Sequence, residues 1–482
     1  MEGALPVAAS EPVGAGLNGS TVTPGSMSTG TLAAVLEAAP DSTTAPVSAP
    51  PTITTIASTA TSASAPHVPA HLATRPGTEA GRRHRRWPWV GLTLLVIVAV
   101  VLGWQLSRPF PKLSLQRSVP VSAAVTGATP VLPWPATGEA AVAVPQLGVA
   151  VESGSEAPVP IASLTKMMTA YVTLIDHPLA PGAQGPVLVM TASDQAEDEA
   201  EEGVGATEVP VQPGEALSER QLLDGLLVHS ANNFANVLAR WDAGTVPAFV
   251  AKMNATAAAL GMAHTHYADA SGLDPGTTGT AGDELRVAAA AMAIPTFAAV
   301  VDQPTVTLPV AGLLYNYVQS VGTQGIVGVK SGFTQAAMGC LVLAAQRTVA
   351  GHPVLVLAAV TGQPGANPLE TANQVDIRLL DAVSSGLRQV PVTPSGLEVA
   401  SVTLPWSPHR VPVVTARAVS VLAWPGQIPS VAMTLDSLYP GLLAGARVGT
   451  LSVSVGHERV VVPVQVADNL RGPSVRWRLA RS

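Results

Sequence analysis

An apolar run without a formal charge extends over residues 87–106. About twenty such residues suffice to cross a hydrocarbon core as a helix. Trp87, Trp89 and Trp104 stand near its ends, where interfacial aromatics belong. The preceding flank (Arg82, Arg83, Arg85, Arg86) is more basic than the following one (Arg108, Lys112, Arg117), which predicts a cytoplasmic N-terminus and an extracytoplasmic remainder. The run lies far into the chain and no small-residue cleavage site follows, so it reads as a single-pass anchor rather than a signal peptide. Residues 1–80 are Ala, Ser, Thr, Pro and Gly with few large apolar side chains, the composition of a disordered tail.

Beyond a Pro-rich spacer at 108–135 the pattern becomes globular. Residues 140–151 read as strand. Met167, Met168, Ala170, Tyr171, Val172, Leu174 and Ile175 bury a helix that opens at Ser163 and runs to Pro178. Residues 181–216 alternate short apolar runs with turns, and their acidic members (Asp194, Glu197, Asp198, Glu199, Glu201, Glu202) predict a solvated surface loop. Ser218 and Gln221 form a capping box ahead of the helix-periodic Leu222, Leu223, Leu226 and Leu227. Further helices are expected up to Trp241, over 247–260 with a stop at Gly261, over 281–293 and over 368–387. Residues 327–333, 339–345 and 354–360 read as neighbouring antiparallel strands. After Pro391 come short Val-rich strands at 413–422, 430–435, 450–455 and 459–466. The expected layout is a tail (1–80), a membrane helix (87–106), a spacer (108–135), one large domain (136–390) and a small β domain (395–475).

A formal charge of −7 argues against a nucleic-acid footprint. Cys340 is the only cysteine, so neither an intrachain disulfide nor a cysteine zinc site is possible; its apolar strand makes it a buried thiol. His264 and His266 lack a third ligand cluster, and no metal is expected. His229 adjoins Ser230, but adjacent residues rarely face one another productively and no partner carboxylate is evident.

The chemistry gathers in three stretches. Ser163 and Lys166 stand three apart, one turn on one helical face. Ser230-Ala231-Asn232 follows on a loop, and Lys330-Ser331-Gly332 on a strand 100 residues later. A serine needs an adjacent base, and a lysine serves only if burial or a neighbouring cation keeps its amine neutral. Lys166 would take the Ser163 proton during attack on an amide carbonyl, and Ser230 would relay it to the leaving nitrogen. Asn232 would hold Lys166 and donate to a substrate carbonyl. Lys330 and Ser331 would meet a substrate carboxylate, and Gly332 would let substrate backbone lie close. The N–H groups of Ser163 and Phe333 would face the oxyanion. Only four lysines occur (Lys112, Lys166, Lys252, Lys330), and two fall in this constellation.

The order Ser-x-x-Lys, Ser-x-Asn, Lys-Ser-Gly, embedded in Ala-Ser-Leu-Thr-Lys-Met-Met-Thr-Ala-Tyr, Leu-Leu-Val-His-Ser-Ala-Asn-Asn and Gly-Val-Lys-Ser-Gly-Phe-Thr, resembles the penicillin-binding D-alanyl-D-alanine carboxypeptidases over about residues 140–390. Met253-Asn254, Leu260-Gly261-Met262 and Ala270-Ser271-Gly272-Leu273 add to it. The resemblance implies an α/β protein of the β-lactamase/penicillin-binding transpeptidase fold: a helical subdomain plus an antiparallel sheet flanked by helices, the site between them, and a small C-terminal β domain. It implies removal of the terminal D-Ala from peptidoglycan stem pentapeptides through an acyl-enzyme on Ser163, inhibition by β-lactams, and no cofactor. Endopeptidase, transpeptidase and β-lactamase activities use the same first step, and a non-catalytic cell-wall scaffold is the rival from another class. No deacylation base of the Glu-x-x-x-Asn kind stands between Asn232 and Lys330, so penicillin is expected to stay attached. Two departures are Ser331, where threonine is usual, and Asn233, where aspartate is common. The chain ends in 474–479, too short for the amphipathic C-terminal helix that anchors many members.

Overall fold

A computed structural model of the chain describes residues 87–118, 125–155, 157–203 and 206–481. The tail 1–80 and the basic cluster Arg82, Arg83, Arg85 and Arg86 lie outside them. The apolar run forms helix α1 (Trp87–Ser107), of which Trp89–Ser107 is long and apolar enough to cross a membrane.

At the centre is an antiparallel sheet of β1 (Glu139–Val144), β2 (Val149–Ser153), β3 (Ile326–Thr334), β4 (Met338–Val349) and β5 (His352–Gln363), in spatial order β3-β4-β5-β1-β2. Because side chains alternate along a strand, the sheet feeds two cores. Ala141, Ala143, Val342, Ala344, Leu357 and Ala359 face one, and Ala140, Val142, Leu341, Leu343, Val356 and Ala358 the other.

The first core is closed by α2 (Thr165–Asp176), α4 (Glu219–Val228), α5 (Asn232–Ala243), α6 (Val246–Ala259), α7 (Ala281–Met292) and α8 (Pro295–Val301), with α3 (Ala192–Gly203) packed outside on α5. The second is closed by α9 (Pro368–Gly386) through Leu379, Leu380 and Val383. The capping box forms as expected: the Ser218 hydroxyl accepts from Gln221 N at 3.2 Å while Gln221 Oε1 accepts from Ser218 N at 2.9 Å. Strand β3 is the sheet edge, and it borders the helical half.

The chain then continues into a β-rich unit with its own core, built on Val399, Val402, Val413, Leu451, Val453 and Val464. Its six-stranded sheet runs in the order Ser114–Arg117, Glu398–Thr403, Arg410–Thr415, Glu458–Val466, Arg447–Val455, Ser430–Leu435. The spacer therefore contributes the edge strand Ser114–Arg117, and it buries Val125 and Leu132. A strand at Arg388–Thr393 pairs with Val419–Ala423, so this texture begins directly after α9.

Three expected elements differ. The strand expected over 140–151 is a hairpin: Pro145 opens a single 3₁₀ turn (Pro145–Leu147), and Gly148 takes the left-handed φ of +62° that reverses the chain. The strand expected over 413–422 is likewise two, Arg410–Thr415 and Val419–Ala423.

The acidic stretch is not a solvated loop but helix α3. Arg240 of α5 reaches Asp194 at 2.7 Å and Glu197 at 2.8 Å, and Asp198 is buried. Asn233 explains the burial. Its Nδ2 donates to Val209 O (2.7 Å) and to Asp198 Oδ1 (3.4 Å), while its Oδ1 accepts from Val209 N (3.2 Å). An aspartate at 233 would set two buried carboxylates against each other.

In α7 Glu284 is buried, and neither oxygen has a hydrogen-bond partner among the described residues. Burial, then the charge of Asp283, raises its carboxyl from 4.5 to about 8. A carboxyl raised in the folded state is favoured there as the neutral acid, so stability falls as pH rises from about 4.5 through about 8. The difference corresponds to at most ~5 kcal/mol above that window. Glu284→Gln, which carries no charge at any pH, is expected to flatten the alkaline limb: denaturant midpoints at pH 6 and pH 9 should differ clearly less than in the parent protein.

Candidate active site

The turn carrying Ser163 is 3₁₀ (Ala162–Leu164) and leads directly into α2, so Ser163 precedes the α-helix proper while Lys166 sits in its first turn. Ala162 holds a left-handed φ of +48°, and Ser230, on the α4–α5 connection, one of +67°. Each such non-glycine conformation costs on the order of 1–3 kcal/mol and persists only where the surroundings impose it. At 230 they do. Gly225 is so close to the Phe234 ring that a Cβ would come within 2.4 Å of it, and Ala231 N donates to Gly225 O at 3.1 Å. The tight α4–α5 contact leaves the connection no slack.

These elements converge on one point. Lys166 Nζ donates to Ser163 Oγ (2.9 Å), Asn232 Oδ1 (2.6 Å) and the Ser271 carbonyl (2.7 Å). Lys330 Nζ donates to Ser230 Oγ (2.9 Å) and the Ser331 carbonyl (2.8 Å). Both lysines have no exposed surface, whereas Ser163 is part-exposed at the cleft wall. Burial, then the nearby Lys166 charge, pushes the Lys330 amine well below the ordinary lysine range. The repulsion is mutual, so the site accommodates one of the two cations more readily than both. Lys330 is thus a buried, hydroxyl-bound group whose charged form is disfavoured.

Ser331 and Gly332 lie on the edge strand β3, followed by Phe333, whose side chain is half exposed. Gly332 has a reason in the protein itself: a Cβ there would stand 2.9 Å from Ser163 N and 3.1 Å from Ile161 O. Only a glycine lets the strand come against the Ser163 turn at this distance, and the Ser163 N–H is thereby brought to the Gly332–Phe333 edge. His229 turns elsewhere, its Nδ1 lying 3.2 Å from Tyr315 O and its ring against Tyr317. Cys340 is buried in β4, with its thiol pushed up to about 12 by burial.

Sequence reasoning did not assign a role to the loop 269–273. Gly272 (φ +83°) lies against the Ala162–Leu164 turn, where a Cβ would be 1.8 Å from Ala162 O. Asp269 Oδ2 accepts from Ser271 Oγ (2.8 Å), Gly272 N (2.8 Å) and Leu273 N (2.9 Å), and Oδ1 accepts from Thr277 Oγ1 (2.6 Å). This carboxylate fixes the loop whose Ser271 carbonyl holds Lys166. Asp269→Ala is expected to slow acylation by β-lactam about 10- to 100-fold while costing about 2 kcal/mol of stability. Stopped-flow acylation and chemical denaturation check the two effects separately.

Residues 143–361 match the family described as D-alanyl-D-alanine carboxypeptidase, peptidase S11. A D-alanyl-D-alanine carboxypeptidase of Mycobacterium tuberculosis is 39% identical over 210 residues, 42% of this chain and 67% of that protein. A D-alanyl-D-alanine endopeptidase of Pseudomonas aeruginosa is 32% identical over 253 residues, 51% of this chain and 78% of that protein. Among solved structures, a peptidoglycan synthesis regulatory factor of Streptococcus pneumoniae superposes with a TM-score of 0.52 at 18% identity, covering 69% of this chain and 99% of that one, a likeness of fold.

Proposed function

We propose, on the premise that this chain belongs to the D-alanyl-D-alanine carboxypeptidase family, that it acts as a serine carboxypeptidase with Ser163 as nucleophile and Lys166 as its base. The observation that carries this reading is the 2.9 Å hydrogen bond from Lys166 Nζ to Ser163 Oγ, in an amine pocket closed by Asn232 and Ser271.

Ser163 Oγ bonds to the penultimate D-Ala carbonyl carbon while its proton passes to Lys166 Nζ. The oxyanion is met by the N–H groups of Ser163 and Phe333. As the C–N bond breaks, the proton moves from Lys166 through Ser230 to the departing nitrogen, and D-Ala leaves. Water then gives a proton to Lys166 and its oxygen to the acyl carbon, and as the ester C–O bond breaks Ser163 Oγ takes that proton from Lys166, restoring the hydroxyl and the neutral amine. Lys330 and Ser331 receive the terminal carboxylate, Asn232 donates to a substrate amide carbonyl, and Gly332 lets the substrate lie along β3. An arriving carboxylate favours the charged form of Lys330, which in turn disfavours a proton on Lys166. Substrate thereby prepares the base that consumes it.

Helix α1 is read as a single membrane span with the N-terminus cytoplasmic and the catalytic domain outside, which brings the site to the cell wall. The full chain supplied with a stem pentapeptide and with a D-Ala-linked stem dimer is expected to release D-Ala at least about 10-fold faster than it cuts the dimer. Faster cleavage of the dimer would instead make it an endopeptidase, and release from neither would leave a scaffold.

A further inference from the structure

The β unit meets the large domain across a cavity of ≈ 830 Å³. Part of its lining is apolar: Tyr171 and Ile175 of α2, Met292 at the end of α7, and Leu355 of β5. Part is polar, with His352 at the start of β5 and His457 and Glu458 from the β unit. No residue of the Ser163, Ser230 or Lys330 segments is among the described residues that line it. Lys166 stands in the first turn of α2, and Ile175 lies about 13 Å further along that helix.

The turn that carries His457 and Glu458 is fastened in place. Gly456, between the strands Arg447–Val455 and Glu458–Val466, takes a φ of +56°, and a Cβ on it would stand 2.2 Å from Leu147 O. His457 N donates to Gln146 O (3.0 Å), and Gln427 Nε2 donates to Leu147 O (2.7 Å). The 3₁₀ turn after β1 thus seats the β unit, and this side of the cavity is pre-formed. Its volume suits a small organic molecule, since sites for such ligands run to about 300–1,000 Å³.

Charge narrows the choice. Glu458 is the one carboxylate among the described lining residues, which hold neither lysine nor arginine. Burial raises the Glu458 carboxyl above its ordinary value, against the Leu422 N–H and His352, which draw it down. A ligand carboxylate or phosphate would press a second anion on Glu458 with no cationic side chain to receive it. A neutral ligand would strip water from Glu458 and return nothing. A ligand cation offsets that desolvation, and neutral imidazoles at 352 and 457 can accept its remaining N–H groups.

We propose that this cavity is a binding site for a small organic amine, its apolar body between α2, α7 and β5 and its ammonium on the Glu458 carboxylate. The site is separate from the catalytic cleft and does not depend on the reading of Ser163 as nucleophile.

The test irradiates the full chain in detergent with aminomethyl-benzophenone and maps the adducts by peptide mass analysis. Label is expected on the peptides containing Ile175 and Met292, about tenfold above that left by benzoylbenzoate, its carboxylate counterpart. Glu458→Gln keeps an acceptor for the Leu422 N–H but loses the charge, and should lower labelling by the amine about tenfold. Ala293→Trp, at an exposed lining position, should block entry and remove the label. Thermal unfolding checks that both variants are folded; should either fail, the amine-to-carboxylate ratio in the parent decides alone. Equal labelling by amine and carboxylate, full labelling of folded Glu458→Gln, or label confined to other segments would overturn the site.

Discussion

Replacing Lys166 by methionine is expected to slow acylation by benzylpenicillin at least about 10³-fold, near the upper part of what removal of a general base costs. The amine has three acceptors, and each loses something distinct. Ser163 Oγ loses the amine beside it, the group proposed to take its proton. Asn232 Oδ1 and the Ser271 carbonyl, both in the cleft wall, lose their shared donor. Methionine fills much of the space, so the change separates loss of the base from loss of packing. The pH profile carries further information. If Lys166 must be neutral to act, the parent's acylation rate should climb with pH until that amine is deprotonated, and the methionine variant should show no such climb. Stopped-flow acylation across pH, with denaturation curves as the control for folding, measures both.

Gly332→Ala is expected to reduce acylation at least about 100-fold, although it adds a single methyl group. The added carbon would meet Ser163 N at 2.9 Å, Ile161 O at 3.1 Å and Ala162 Cβ at 3.2 Å, two of them backbone atoms that no rotamer change can move aside. Relief requires β3 to back away from the turn, or the turn to move with Ala162 already in the left-handed region at φ +48°. Either shift separates the Ser163 N–H from the Phe333 edge, where both should face the oxyanion. The loss should fall on the acylation rate with little change in ligand affinity. A matched loss of both would place the effect in binding.

Much of this was legible in residue order. The spacing of Ser163 and Lys166, the Ser218 box and the alternation of the central strands follow from local rules that the tertiary structure left standing. What escaped was carried by groups without a side-chain signature or by distant partners. The Ser271 carbonyl is a backbone atom, and nothing in the letters marks it as the third acceptor for Lys166. Nor do the letters mark Asp269, whose work is done on N–H groups within its own loop. Helix α3 was hidden by its charge: the like-charged run lost its repulsion to Arg240, some 40 residues downstream, and to Asn233, which took the place of a second carboxylate. Pro145 and Gly148 gave the only local signs of the β1–β2 turn, inside a run otherwise apolar enough to pass as one strand. Burial is the other unread quantity: the letters show that residue 330 carries an amine, not that it lies wholly inside the protein.

The central claim is that two lysines and two serines drawn from three separate segments act as one centre on a carbonyl carbon at Ser163. Peptide mass mapping of the full chain after exposure to benzylpenicillin tests it most directly. The account predicts one covalent adduct, on the peptide containing Ser163, persisting for far longer than the acylation takes and absent from Ser163→Ala. An adduct on any other residue, or intact penicillin consumed with Ser163→Ala as readily as with the parent, would contradict it.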